Sequence, residues 1–187
     1  YEIRLSLVGS EMCIRDSPIE HIKSRIKTSE SIVKKLRRHG YESTIENMVK
    51  YVNDIAGIRV ICSFTSDIYR IAEMIRLQND IHVIAVKDYI RLPKASGYKS
   101  YHMLVTVPVF LSDRTVDVKV EIQIRTVAMD FWASLEHKIN YKFEGNAPEH
   151  VKRELIECAG MVSALDNRMQ ELNEEIKALS KEDTDGV

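Results

Sequence analysis

Two carboxylates at element ends could serve phosphate chemistry, though spacing alone does not pair them. Asp54 lies just ahead of Gly57 and a β-rich run, and Glu121 lies on the polar side of the most regular alternation in the chain. Mg²⁺ takes one or two protein carboxylates and completes its shell with phosphate oxygens, so such a pair suits phosphoryl transfer. The ordinary alternatives are a capping carboxylate at 54 and an exposed strand residue at 121. A cationic segment precedes both. Residues 18–40 carry seven basic residues (Lys23, Arg25, Lys27, Lys34, Lys35, Arg37, Arg38) against Glu20 and Glu30, a local charge of +5. A single charged helix face is usually only solvated, but two successive elements sharing one positive patch can supply a donor to each oxygen of a polyphosphate. Gly97-Tyr98-Lys99-Ser100-Tyr101-His102 is a third cluster. The glycine permits a tight turn or a ligand's close approach, and an aromatic beside it can stack a base for ~1–3 kcal/mol. A plain loop with two structural tyrosines is the competing reading. Phe131 and Trp132 read as core, while His137 and Lys138, one turn on, either reach a cleft or face solvent. There is no GxxxxGK[ST], no GxGxxG, no HExxH and no adjacent His-Asp pair, so neither a P-loop nor a zinc or His-Asp hydrolase site is indicated.

These residues need elements to hold them. Residues 18–27 alternate, with Ile22, Ser24 and Ile26 on one side and His21, Lys23, Arg25 and Lys27 on the other. That predicts a strand with a basic face, a helix capped near Ser17 being the alternative. A helical pattern from Thr28 through Ile32, Lys35 and Leu36 ends at Gly40. A short helix over 44–52 leads to a strand at 58–64. Ser66 or Asp67 opens a helix with Ile68, Ile71, Ala72 and Ile75 at i, i+3, i+4 and i+7. Strand-like runs follow within 81–91 and 101–111, the latter setting Met103, Val105, Val107 and Val109 on one face, with a polar loop over 93–100. In the next strand Val116, Val118, Val120, Ile122 and Ile124 oppose Asp117, Lys119, Glu121, Gln123 and Arg125, which predicts one core face and one face that is wet or lines a cleft. A helix over 127–141 comes next. Over 149–179, Val151, Leu155, Cys158, Val162, Leu165, Met169, Leu172, Ile176 and Leu179 recur at alternating spacings of four and three. This heptad seam suits pairing with another helix, or else an amphipathic helix packed on its own core. The fold class expected is α/β (α+β), a mixed sheet flanked by helices with a cleft over the sheet.

With 187 residues, 44% hydrophobic and 29% charged, the chain can bury a core, and its 27 basic and 28 acidic residues leave a net charge of −1, against a generic nucleic-acid coat. No apolar run approaches the ~20 residues of a membrane-spanning helix. Cys13, Cys62 and Cys158 are odd in number and far apart, which gives no disulfide framework and points to a reducing cytoplasm. The chain opens at Tyr1 rather than Met, as a fragment or truncated gene would. Residues 1–17 show no sustained period, and RLSLVGSEMCIRDS resembles translated sequencing-adapter sequence, so this segment is expected to be non-native or disordered. The domain layout expected is 18–146 as one domain and 147–187 as an oligomerisation helix with an acidic tail.

SRIKTSESIVKKLRR, NDIAGIRVIC, SGYKSYH, VEIQIRT and AMDFWASLEHKINYK occur in this order. Together they resemble the synthetase domain of the RelA/SpoT family, and most closely its small alarmone synthetases, over about residues 17–180. The resemblance implies a nucleotidyltransferase-like mixed sheet with a long C-terminal helix. It implies transfer of the β,γ-pyrophosphate of ATP to the 3′-hydroxyl of GDP or GTP, with release of AMP. Asp54 and Glu121 match the family's Mg²⁺ ligands, and Glu121 also suits the role of receiving the hydroxyl proton. Arg25 and Arg59 match the arginines flanking adenine; Lys27, Lys35 and Arg38 match the holders of the ATP phosphates. Tyr98 matches the tyrosine stacked on guanine, and Lys94, Lys99, His102, Gln123 and His137 match positions near the guanosine nucleotide. A homotetramer formed through the C-terminal helix, synthesis without hydrolysis, and single-stranded RNA as a further partner are implied in the same way. A catalytically idle nucleotide- or RNA-binding module would need the cations but neither carboxylate.

Overall fold

A computed structural model describes residues 17–143 and 146–182. The reading of 1–17 as non-native therefore lies, but for Ser17, outside the described residues. The elements run β1 (Ile19–Ile26), α1 (Ser29–Arg38), α2 (Ile45–Tyr51), β2 (Ala56–Cys62), α3 (Thr65–Arg76), β3 (His82–Asp88), β4 (Tyr101–Phe110), β5 (Thr115–Thr126), α4 (Val127–Lys142) and α5 (Glu149–Glu182).

The five strands form one mixed sheet in the order β1-β2-β5-β4-β3. Only β2 and β5 pair in parallel; the other neighbours are antiparallel. Strand side chains alternate across a sheet, so the alternation of β5 divides the molecule into two faces. Val120, Ile122 and Ile124 join Val60, Cys62, Met103 and Val105 under Ile68, Ile71, Ala72 and Ile75 of α3. The opposite face carries Glu121 and Gln123, with α4 bordering it on one side. Burial in the first face pushes the Cys62 thiol up to about 12, so this cysteine behaves as packing matter.

The structure departs from the sequence pattern at several places. The isoleucine side of β1 is not a core face: Ile22 and Ile26 are both exposed, because β1 is an edge strand with α3 packed further along the sheet. Val109 and Val116 hold the expected parity but are exposed, since the β4–β5 hairpin runs past the covering helices. Helix α3 starts at Thr65, capped by the backbone of Phe64 without a side-chain bond. Trp132 is buried as expected but Phe131 is exposed, successive helix residues lying about 100° apart.

Helix α5 packs inward with part of the heptad seam, joined by the small Ala159. Leu155, Ala159 and Val162 pack on Trp132 and Ala133, and the Trp132 indole N–H donates to the Leu155 carbonyl at 2.9 Å. Gly97, at φ +85°, lies so close to this helix that a Cβ there would come within 2.5 Å of the Ala159 Cβ. The later seam residues Leu165, Met169, Leu172, Ile176 and Leu179 remain exposed.

Asp166 of α5 is buried and accepts a 2.8 Å bond from the Thr126 hydroxyl. Thr126 also caps α4 by accepting from Met129 N–H at 3.1 Å. Burial raises the Asp166 pKa, against the opposing pull of Thr126 and of the Lys99 charge. A carboxyl raised above its unfolded value takes up its proton first in the fold. Its contribution therefore favours the fold at low pH and is lost as pH rises through the folded pKa. Asp166→Asn, with its amide oxygen turned to the place of Oδ2, keeps the acceptor for Thr126 and removes the charge. It is expected to raise the melting temperature at pH 7 by about 2–4 °C, with the gain shrinking on acidification, as checked by calorimetry across pH.

Candidate active site

Asp54 sits two residues before β2, beside the point where β1 leaves the sheet. The Lys27 N–H donates to the Ile55 carbonyl at 2.7 Å, one residue beyond β1, and this bond holds the Lys27 side chain against Asp54. Helix α1, capped by the Thr28 hydroxyl, turns Ile32 and Leu36 onto Val52. That packing leaves Ser31, Lys34, Lys35 and Arg38, at i, i+3, i+4 and i+7, as one stripe lining a pocket with Lys27 and Asp54. Lys27 Nζ donates to Asp54 Oδ2, and Lys35 Nζ donates to Oδ1 at 2.7 Å. Burial, the largest single influence on Asp54, would raise its pKa, but the two ammonium groups outweigh it and the carboxyl is held below its ordinary range.

Register carries the site from here across the sheet. Arg25 pairs with Gly57 and Gly57 with Glu121; one step along, Lys23 pairs with Arg59, Arg59 with Gln123 and Gln123 with His102. Gly57 has its reason in this row: a Cβ there would stand 3.4 Å from both Cγ and Nε of Arg25, which lies over the gap. Lys23, Arg25, Gly57, Arg59, Glu121 and Gln123 together wall a second pocket. Arg59 Nε is buried with no hydrogen-bond partner among the described residues, a donor left for a ligand.

Glu121 accepts on both oxygens, from His102 Nδ1 at 3.3 Å and from Gln123 Nε2 at 3.0 Å. The His102 bond is the chief reason its pKa lies below the ordinary value; burial and the charge of Asp54 push the other way. The two carboxylates thus act on each other electrostatically across the cleft. With Nδ1–H given to Glu121, His102 Nε2 takes the hydroxyl proton of Tyr98 at 2.9 Å, and the Tyr98 oxygen accepts from Arg125. Arg125 also donates to Gln123 Oε1 at 2.9 Å and to Ser100 Oγ at 3.2 Å.

Tyr98 lines a further part of the cleft together with Arg25, Arg59, Lys94, Gln123 and His137. Lys94 Nζ lies 4.7 Å from the Tyr98 ring centre and Arg125 lies 5.1 Å from it, so a base stacked on this ring would share it with a cation. Lys94 and His102 continue into an adjoining recess with Lys87, Tyr89 and Glu121.

The structure places Arg25, Arg59, Lys94, Tyr98, His102, Glu121, Gln123 and His137 around pockets that share lining residues, and Lys27, Lys35, Arg38 and Asp54 around a separate pocket from which the Asp54 charge acts on Glu121. It does not bring Lys99 there. Side chains alternate as the chain enters β4, so Tyr98 and Ser100 turn to Arg125 while the Lys99 charge acts on Asp166 of α5. Sequence reasoning missed Arg125 as more than a polar-face residue, and missed Asp130 altogether. The only available signal was Arg125 at the cleft parity of β5 with an acid five residues on, a spacing that becomes a contact only when strand turns into helix at Thr126.

Residues 24–146 match the model of the region found in RelA and SpoT proteins. The GTP pyrophosphokinase YwaC of Bacillus subtilis is 49% identical over 160 residues, covering 86% of this chain and 76% of that protein. The crystal structure of small alarmone synthetase 1 from Bacillus subtilis superposes with a TM-score of 0.82 at 41% identity, over 88% of this chain and 84% of the other. Similar structures of that synthetase have been solved with its product pppGpp (TM-score 0.79, 42% identity, 86% and 81% covered) and with AMPCPP (TM-score 0.74, 39% identity, 87% and 81% covered). The family region spans most of the described fold, including both cleft carboxylates and the strands that carry them, and the chain belongs to the RelA/SpoT family.

Proposed function

We propose that this cleft transfers the β,γ-pyrophosphoryl group of ATP to the ribose 3′-hydroxyl of GDP or GTP and releases AMP. The observation that carries the reading is the position of the two carboxylates. Asp54 lies in the cationic pocket, and Glu121 lines a second pocket with Arg25, Arg59 and Gln123, three residues that also line the pocket of Tyr98.

The residues divide by chemistry. Lys27, Lys35 and Arg38 offer charge to the phosphates of ATP, with Lys34 on the same stripe. Arg25 and Arg59 present guanidinium planes that can hold adenine by stacking. Tyr98, with Lys94, His102, Gln123 and His137, forms the guanosine side. Glu121 is placed to receive the proton of the attacking hydroxyl, and its ionised state at neutral pH leaves it ready to do so. Pyrophosphoryl transfer asks chiefly for in-line positioning and neutralisation of charge, which this arrangement supplies without a covalent intermediate.

The donor set also fits Mg²⁺. Two ionised carboxylates raise each other's local negative potential, and phosphate oxygens complete the shell of this hard cation. Asp54 and Glu121 would hold the ion, which when bound polarises phosphoryl oxygens. Among the described residues no group of three or more His, Cys, Asp or Glu side chains could hold a metal.

The domain layout, assembly and location belong to the same proposal: a synthetase domain over 18–146, a homotetramer built through the exposed later half of α5, and a cytoplasmic setting. No helix among the described residues is long and apolar enough to cross a membrane. Single-stranded RNA would be drawn to the same cations, but it gives no use to Asp54 and Glu121.

The test is incubation of the chain with γ-labelled ATP, unlabelled GTP or GDP, and Mg²⁺, read by thin-layer chromatography. Label on a guanosine nucleotide, with stoichiometric AMP, is expected. Release of labelled phosphate or pyrophosphate alone would defeat the reading.

A further inference from the structure

Asp130 is nearly buried at the first turn of α4, outside every nucleotide role assigned above. A single carboxylate oxygen, Oδ1, accepts a hydrogen bond from Arg125 NH1 and forms an ion pair with Arg59 NH1, each at 3.1 Å. Arg59 belongs to the adenine side. Arg125, itself buried, reaches Glu121 by two routes of hydrogen bonds: through the Tyr98 hydroxyl and His102, and through Gln123. Both routes donate in one direction, from the guanidinium towards the Glu121 carboxylate. They fix the His102 tautomer, the Gln123 amide and the Tyr98 hydroxyl together.

Arg59 and Arg125 repel each other, and the Arg125 charge is one of the influences that lower the Arg59 pKa. Two guanidinium groups stay side by side in a half-buried wall only with an anion between them. Thr126 sets that anion in place by ending β5 and capping α4, which turns the first helical turn back over the strand end.

We propose that Asp130 is a positioning residue joining the two nucleotide subsites: it holds Arg59 for the adenine side and, through Arg125, sets Tyr98 and the donors on Glu121 for the guanosine side. The proposal rests on the assignment of Arg59 and Tyr98 under Proposed function. Loss of the carboxylate loosens both walls at once, whereas loss of either wall residue affects its own nucleotide.

The experiment compares Asp130→Ala, Asp130→Asn, Arg59→Ala and Tyr98→Ala with the parent chain, by steady-state kinetics for each nucleotide and by calorimetric GDP binding with and without AMPCPP. Asp130→Ala is expected to raise the KM of both ATP and GTP about tenfold, and to abolish any effect of AMPCPP on GDP affinity. Asp130→Asn, which keeps an acceptor oxygen but not the charge, is expected to recover only a small part of both KM values, and it carries the test should the alanine variant fold poorly. A folded Asp130→Ala with both KM values within about twofold of the parent would overturn the proposal, as would one whose losses lie wholly in thermal stability or kcat. If Arg59→Ala and Tyr98→Ala each raise only their own nucleotide's KM while the Asp130 variants raise neither, the proposal fails and the site reading stands. If Arg59→Ala and Tyr98→Ala leave both KM values unchanged, the site reading fails and takes the proposal with it.

Discussion

Replacing Asp54 by alanine is expected to abolish AMP formation and labelling of the guanosine nucleotide, lowering kcat/KM by about 1,000-fold or more, while ATP still binds. Loss of a carboxylate that holds the metal removes several kcal/mol of transition-state stabilisation, and each ~1.4 kcal/mol is a factor of ten in rate. Binding should move the other way in the absence of metal. Asp54 occupies Lys27 with one oxygen and Lys35 with the other, so in the apo protein it competes with phosphate for the same two ammonium groups. Without it those cations have no local counterion, and calorimetry in EDTA should find ATP bound several-fold more tightly than by the parent chain. The fold should survive, because Lys27 and Lys35 lie at the rim of the sheet with 16% and 28% of their side chains exposed and water can take up part of the lost solvation. A variant with near-native turnover would remove Asp54 from the chemistry. One that lost ATP affinity in EDTA would show the carboxylate organising the lysines rather than competing for them.

The period-two run from Val116 to Ile124 made one face of β5 legible before any coordinates, and with it the parity of Glu121, Gln123 and Arg125. The helical spacing of Ser31, Lys34, Lys35 and Arg38 and the stop at Gly40, which adopts φ +78°, were equally legible, since both are local. Contacts between elements were not. Nothing in the spacing of Arg59, Arg125 and Asp130 says that one oxygen will serve two guanidiniums, because that depends on the parallel pairing of β2 with β5 and on the turn at Thr126. The inner face of α5 was legible only in part, for a related reason. The heptad seam includes Leu155 and Val162, which pack on α4, but the small Ala159 and the buried Asp166 make contacts beside them, and small or polar residues carry no hydrophobic signal. Lys99 was assigned to the cleft as one of a motif's members, and side-chain alternation places it on the other side.

Glu121→Gln is expected to lower kcat by about 100- to 10,000-fold, the range that loss of a general base commands, with the KM for GTP changed far less. The substitution is nearly isosteric, so its effect follows from charge and from donor-acceptor matching. Both Glu121 oxygens accept, one from His102 and one from Gln123. A glutamine offers one acceptor and one amide donor, and the amide group must face one of those N–H groups. Relief requires either His102 to move its proton to Nε2, which sets it against the Tyr98 hydroxyl and reverses that bond, or Gln123 to turn its amide, which sets its nitrogen against Arg125. The histidine route is visible as a change in the ¹⁵N shifts of the imidazole. In the parent chain the depressed pKa of Glu121 keeps it ionised as pH falls, so the acid limb of kcat/KM should lie below the usual glutamate range, and the stability contributed by its bonds should persist until pH drops through that lowered value. A folded Glu121→Gln that retains most of its kcat would leave the attacking hydroxyl without its base here and assign Glu121 to holding the metal alone.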